Sequence, residues 1–182
     1  STIGVVNPRR LKHIATDIRE DCFVNYSVLQ GVKVVRFHID FKDDSDGRIV
    51  SVEQEPALEE LIDGYLSLEN KPTGLFVPTD VNLVSVQKAF NRAGIYAGVD
   101  VEFIGCNNDQ ALLSGLDVIP ATIDIGLEQI CSMAVERILY RVDHCDSRGE
   151  GVLISVKPEL VEGQAGLSIN NLQEYNLFES AA

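Results

Sequence analysis

Four short runs of apolar, largely β-branched residues alternate with three helical patterns along the first 110 positions, and this rhythm restricts the fold more than any other feature. "IGVV" (Ile3 to Val6) ends at Asn-Pro and reads as a buried strand. Ile14, Ile18, Cys22, Tyr26 and Leu29 then recur at helical spacing, and Gly31 stops that helix. "VKVVRFHI" (Val32 to Ile39) is a second strand. Pro56 suits the first turn of a helix whose stripe is Leu58, Leu61, Ile62 and Tyr65. "GLFVPT" (Gly74 to Thr79) is a third strand. Asp80 is placed to cap the next helix, with Leu83, Val86, Phe90 and Ala93 on one side and Gly94 at its end. "VEFIG" is the fourth strand.

Runs such as "GLFV" and "VEFI" are apolar on both faces, as in a parallel sheet covered on both sides. Right-handed β-α-β connections then predict an α/β fold, a doubly wound and mostly parallel Rossmann-like sheet. In such sheets ligands sit beyond the carboxyl ends of the strands. Thr79, Asp80, Cys106, Asn107 and Asn108 fall at such ends.

After Asp109 the rhythm breaks. "PATIDIG" can be a crossing strand. Leu127, Ile130, Ala134 and Ile138 mark a helix from Leu127 to Arg141. "VLISV" reads as a strand and "ELVEG" as a further short extended piece. The tail has no period.

Chemistry is mostly excluded. Twenty-eight acids against fifteen bases give −13, so these residues by themselves repel phosphate backbones. "NPRRLKH" after the first strand carries no nucleotide-binding glycine pattern, so no cofactor is expected. His13, His38 and His144 are scattered, and the acids Asp40, Asp43, Asp44 and Asp46 miss the calcium-loop alternation because Lys42 holds a ligand position; no metal is expected. No GxSxG occurs. Cys22, Cys106, Cys131 and Cys145 lack CxxC spacing and read as reduced, buried thiols of a cytoplasmic protein. No window is apolar for long enough to span a membrane, and the first residues are not a signal peptide. The chain reads as a binder, not an enzyme.

The segment from Lys71 to Arg141 resembles the effector-sensing domain of the lactose-repressor (LacI/GalR) family of transcriptional regulators. The likeness rests on "KPTGLFVPTD", then "KAFNRAGIYAGVDVEFIGCNND", then "IPATIDIGLEQICSMAVERIL". "IGVVNPRRLKHIATDIREDCF" is similar to the first strand and the arginine-bearing helix of that family's C-terminal subdomain. "VLISVKPELVEG" is similar to its closing segment.

The resemblance implies a periplasmic-binding-protein-like type I fold. Residues 1–124 would form the C-terminal subdomain, 125–163 elements that cross to the N-terminal subdomain, and 164–182 an irregular tail. It also implies a small-molecule effector, most naturally a sugar, held by Arg19, Thr79, Asp80 and Asn107. Arg19 offers a fork of five donors. Thr79 stands where the family commonly has asparagine, and Asn107 where it has aspartate. Leu83, Ser85, "PAT" and Gly163 also depart from the pattern.

The partners it implies are a second copy in a homodimer, and DNA only through an upstream domain absent from this chain. The stripe Leu127, Ile130, Ala134 and Ile138 would be left exposed unless another chain covers it or the chain folds back. A periplasmic sugar-binding protein of a transport system is the alternative.

Overall fold

The computed structural model describes residues 1–8, 14–39, 55–144 and 151–164. The acidic segment considered for calcium, Cys145 and the tail beyond Gln164 lie outside them. The elements are β1 (Thr2–Pro8), α1 (Ile14–Leu29), β2 (Lys33–Ile39), α2 (Glu55–Leu66), β3 (Gly74–Phe76), α3 (Asp80–Arg92), β4 (Glu102–Cys106), α4 (Gln110–Leu113), β5 (Ala121–Asp124), α5 (Leu127–Asp143) and β6 (Glu159–Val161). They form one sheet in the order β2-β1-β3-β4-β5-β6. The first five strands are parallel, and β6 runs antiparallel to β5. The doubly wound, mostly parallel sheet is therefore as expected.

One face of this sheet carries the main core. Leu58, Leu61, Ile62 and Tyr65 of α2 and Leu83, Val86 and Phe90 of α3 are all buried there, on Val6, Leu75, Val77 and Phe103. The aromatic rings meet edge to face: Phe90 lies 4.9 Å from Tyr65 and 5.5 Å from Phe103, centroid to centroid. Gly31 and Gly94 sit just past α1 and α3 at φ 71° and 78°, a conformation that side chains resist and glycine accepts.

The other face departs from expectation. The stripe Ile14, Ile18, Cys22, Tyr26 and Leu29 of α1 points away from the sheet. Thr16, Glu20, Val24 and Ser27 are the buried positions. The reason is polar. Register sets Asn7 beside His38 on neighbouring strands, and both reach Glu20, which is 5% exposed. Asn7 Nδ2 donates to Glu20 Oε2 at 2.6 Å, His38 Nε2 lies 3.0 Å from Oε1, and Arg36 stands at 3.6 Å. A buried carboxylate is tolerated only when so matched. Phe23 and Val24 supply the apolar part of the contact, with Phe23 stacked on Phe76 at 4.9 Å.

Three further expectations change. Cys22 and Cys131 are exposed free thiols, and only Cys106 of the described cysteines is buried. Asp80 does not cap α3: it is the first helical residue, behind Thr79 at the cap position. "VLISV" forms no strand, because no neighbouring strand pairs with it; Val152 and Leu153 are 61% and 92% exposed. The short α4 was not anticipated.

Candidate functional site: the cleft at the carboxyl ends of the strands

Parallel pairing brings the ends of β1, β3, β4 and β5 to one edge of the sheet, and the turn after β4 is its most constrained point. Asn107 and Asn108 both adopt positive φ, 120° and 58°. Such a backbone is costly for residues with a side chain, though asparagine tolerates it better than most. The surroundings hold it in place. Asn107 N–H donates to Ile123 O at 2.9 Å. Asn108 N–H donates to Thr122 Oγ1 at 3.3 Å, and its Nδ2 to Asp124 Oδ2 at 2.9 Å.

Asp80 is the hub behind this turn. It is 0% exposed. Thr122 Oγ1 donates to its Oδ1 at 2.9 Å, and Asp109 N–H donates to its Oδ2 at 2.8 Å. One carboxylate thus ties the start of α3 to the β4–α4 turn and to β5. Gly105 makes room for it: a Cβ there would come within 2.1 Å of Asp80 Oδ1.

The turn opens on a cleft of about 1210 Å³, walled by Asn107, Asn108 and Asp124 on the strand side and by Gly126, Glu128 and Ser132 at the start of α5. The Gly126 N–H and the Asn108 amide both donate to Asp124, and they hold its carboxyl below the usual carboxylate range. It is therefore ionised near neutrality.

The four residues expected at the site meet at this edge but differ in what they offer. Asn107 lines the cleft, half-buried, and its side chain has no hydrogen-bond partner among the described residues. Arg19, on α1, is half-buried and donates from one guanidinium nitrogen to Pro78 O at 2.7 Å, which sets it beside Thr79. Thr79 Oγ1 is buried and has no hydrogen-bond partner among the described residues. Asp80 faces inward. Cys106 lies between these groups. Burial pushes its thiol up, the nearby Arg19 charge draws it partly back, and Asp80 raises it again.

Thr122 and Asp124 were missed, and Asn108 was placed at a strand end without a role. "TIDIG" carried the only available signal: an acid two residues before a glycine, whose N–H it accepts at 2.7 Å. Among the described residues no group of three or more His, Cys, Asp or Glu is placed to hold a metal ion, and no helix is long and apolar enough to cross a membrane.

Residues 2–165 match the periplasmic binding protein-like domain. A search among curated proteins finds no match. Several solved structures share the fold. A LacI family transcriptional regulator from Bifidobacterium animalis superposes with a TM-score of 0.68 at 16% identity, over 90% of this chain and 54% of its own. A periplasmic binding protein/LacI transcriptional regulator from Alkaliphilus metalliredigens, complexed with D-xylulofuranose, gives 0.60 at 20% identity, over 92% and 57%. The lac repressor dimer bound to operator and the anti-inducer ONPF gives 0.66 at 14% identity, over 92% and 52%. The chain thus spans about half the length of the structures it matches. With the sheet order and a family match over nearly its whole length, the chain belongs to the periplasmic binding protein-like domain family.

Proposed function

We propose that this chain is the C-terminal part of the effector-sensing region of a LacI-type transcriptional regulator, and that a sugar or related polyol binds at the carboxyl ends of β3, β4 and β5. The observation that carries this reading is Asn107, which joins a left-handed backbone, a place in the cleft wall and an amide with no partner among the described residues. An amide donates and accepts, as hydroxyl groups require. The Alkaliphilus relative holding D-xylulofuranose supports a sugar as ligand.

In this reading Arg19 and Asn107 touch the ligand, and Thr79, whose hydroxyl is buried, lies behind the rim. Asp80 keeps the turn in shape from behind. α5 and residues 151–158 pack on a second subdomain, which closes the cleft. Ligand favours one closure angle over another, since it shifts an equilibrium only by its differential affinity for the two states. In a homodimer that angle sets the spacing of two DNA-binding heads carried upstream. No catalytic step is proposed.

The test is a thermal-shift screen of sugars on the intact regulator, since a ligand that binds only the native state raises its melting temperature. A hit should vanish in Arg19→Ala and in Asn107→Ala while both variants stay folded. An unchanged response in both would remove the site assignment. The second reading, a periplasmic sugar-binding protein, draws on the same sugar-bound relative. A helix-turn-helix in the preceding sequence would exclude it, and a signal peptide there would favour it.

A further inference from the structure

The outer face of α1 has the composition of an inner one. Ile14, Ile18, Cys22, Asn25, Tyr26 and Leu29 point away from the sheet, and none is charged. Ile14 is 69% exposed, Ile18 56%, Tyr26 53% and Leu29 80%. The inner face is occupied by Glu20, Thr16 and Ser27, so α1 cannot rotate to bury the stripe without exposing the Glu20 contacts.

We infer that this face pairs with the same face of a second copy, as two antiparallel α1 helices crossing near Cys22. Two observations select that occupant and that direction. The stripe is symmetric about Cys22, with Ile18 four residues before it and Tyr26 four after. A two-fold axis through Cys22 therefore sets Ile18 of one copy against Tyr26 of the other, as an isologous interface requires. The charges are also segregated. Asp17, Arg19, Glu20 and Asp21 all fall in the first half, and Cys22 to Leu29 carries none. Antiparallel pairing lays the charged half of each helix along the uncharged half of the other and opposes the helix dipoles favourably. Parallel pairing would set acids against acids.

The spacing of four residues gives ridges that cross at roughly 50°. A helix of 16 residues is only about 24 Å long, so the contact falls short of the roughly 800 Å² per partner of a standard interface. The pairing is therefore weak and concentration-dependent. It is independent of the effector and of any dimer contact made elsewhere in the regulator.

Cys22 reports on it directly. The experiment uses the full chain with Cys131 and Cys145 replaced by serine, and Cys106 left buried. The alkylation rate of Cys22 is followed from sub-micromolar to hundreds of micromolar protein. It should fall several-fold with concentration, and Ile18→Asp should remove that fall. With Cys22→Ser in the background and an added oxidant, Ile18→Cys mixed with Tyr26→Cys should give more mixed disulfide than either variant gives with itself. Three results would overturn the proposal: rapid alkylation at every concentration, which leaves the face open; slow alkylation at every concentration, which means the chain's own residues cover it; or preferential cross-linking of Ile18→Cys to itself, which means a parallel pair.

Discussion

The two sides of the sheet obey different rules. Under α2 and α3, every apolar residue read as inward from Leu58 to Phe90 is inward, and the rings of Tyr65, Phe90 and Phe103 interlock. On the side of α1, a helix is seated by a buried glutamate; α5, a 17-residue helix, has no buried residue at all. The first side is finished within the chain. The second presents apolar surface outward. A stripe at helical spacing identifies a face that is buried against something, but not what that something is.

The sharpest way to break the contrast is to damage the finished side. Phe90→Ala empties a fully buried ring site and should cost about 3–5 kcal/mol, read as a shift in the denaturant midpoint. Glu20→Ala, on the other side, should cost about 1–3 kcal/mol, because it removes the acceptor that Asn7 and His38 share, while Asn7 keeps its donation to Asp17 and the apolar contacts of Phe23 remain. A cost equal to that of Phe90→Ala would mean that the two sides are equally cooperative. Thr122→Val removes one donor to the enclosed Asp80 carboxylate and should cost about 1–2 kcal/mol. The amide resonances of Asn108 and Asp109 should shift more than those of α2.

Asp124 gives a smaller, pH-dependent effect. Its folded value is lowered, so its contribution is present above the unfolded carboxylate range and is lost as pH falls through the folded value. Asp124→Asn should lower stability slightly near neutrality, and its melting curve should converge with that of the natural chain as pH falls below about 4, by thermal melts across that range. Ile138→Asp on α5 should change the stability of this chain by less than about 0.5 kcal/mol, because Ile138 is 62% exposed. The same substitution in a longer form that carries the proposed second subdomain should lower its melting temperature clearly if α5 packs on that subdomain.

Much of the fold was legible because a parallel sheet demands two-faced apolar strands and one-faced helices, and α2 and α3 obey that demand. α1 was legible as a helix with the wrong face inward. The face is decided by Asn7 and His38, which come together only through strand register. "VLISV" has the composition of a strand, but strand formation needs a neighbour that composition does not supply. At the site, Asn107 could be found because turn residues at a strand end stand out. The position of Asp80 could not, since its partners Thr122 and Asp109 lie 42 and 29 residues away in sequence.

The positive φ of Asn107 has a consequence for anyone who engineers this protein. Glycine adopts that backbone without strain, so a selection for heat resistance alone would favour Asn107→Gly. The winner would be sturdier and would have lost an amide that lines the cleft. Under the proposed function robustness and recognition compete at this position, and a thermostabilised form should be checked there before its silence toward sugars is taken as a property of the natural chain.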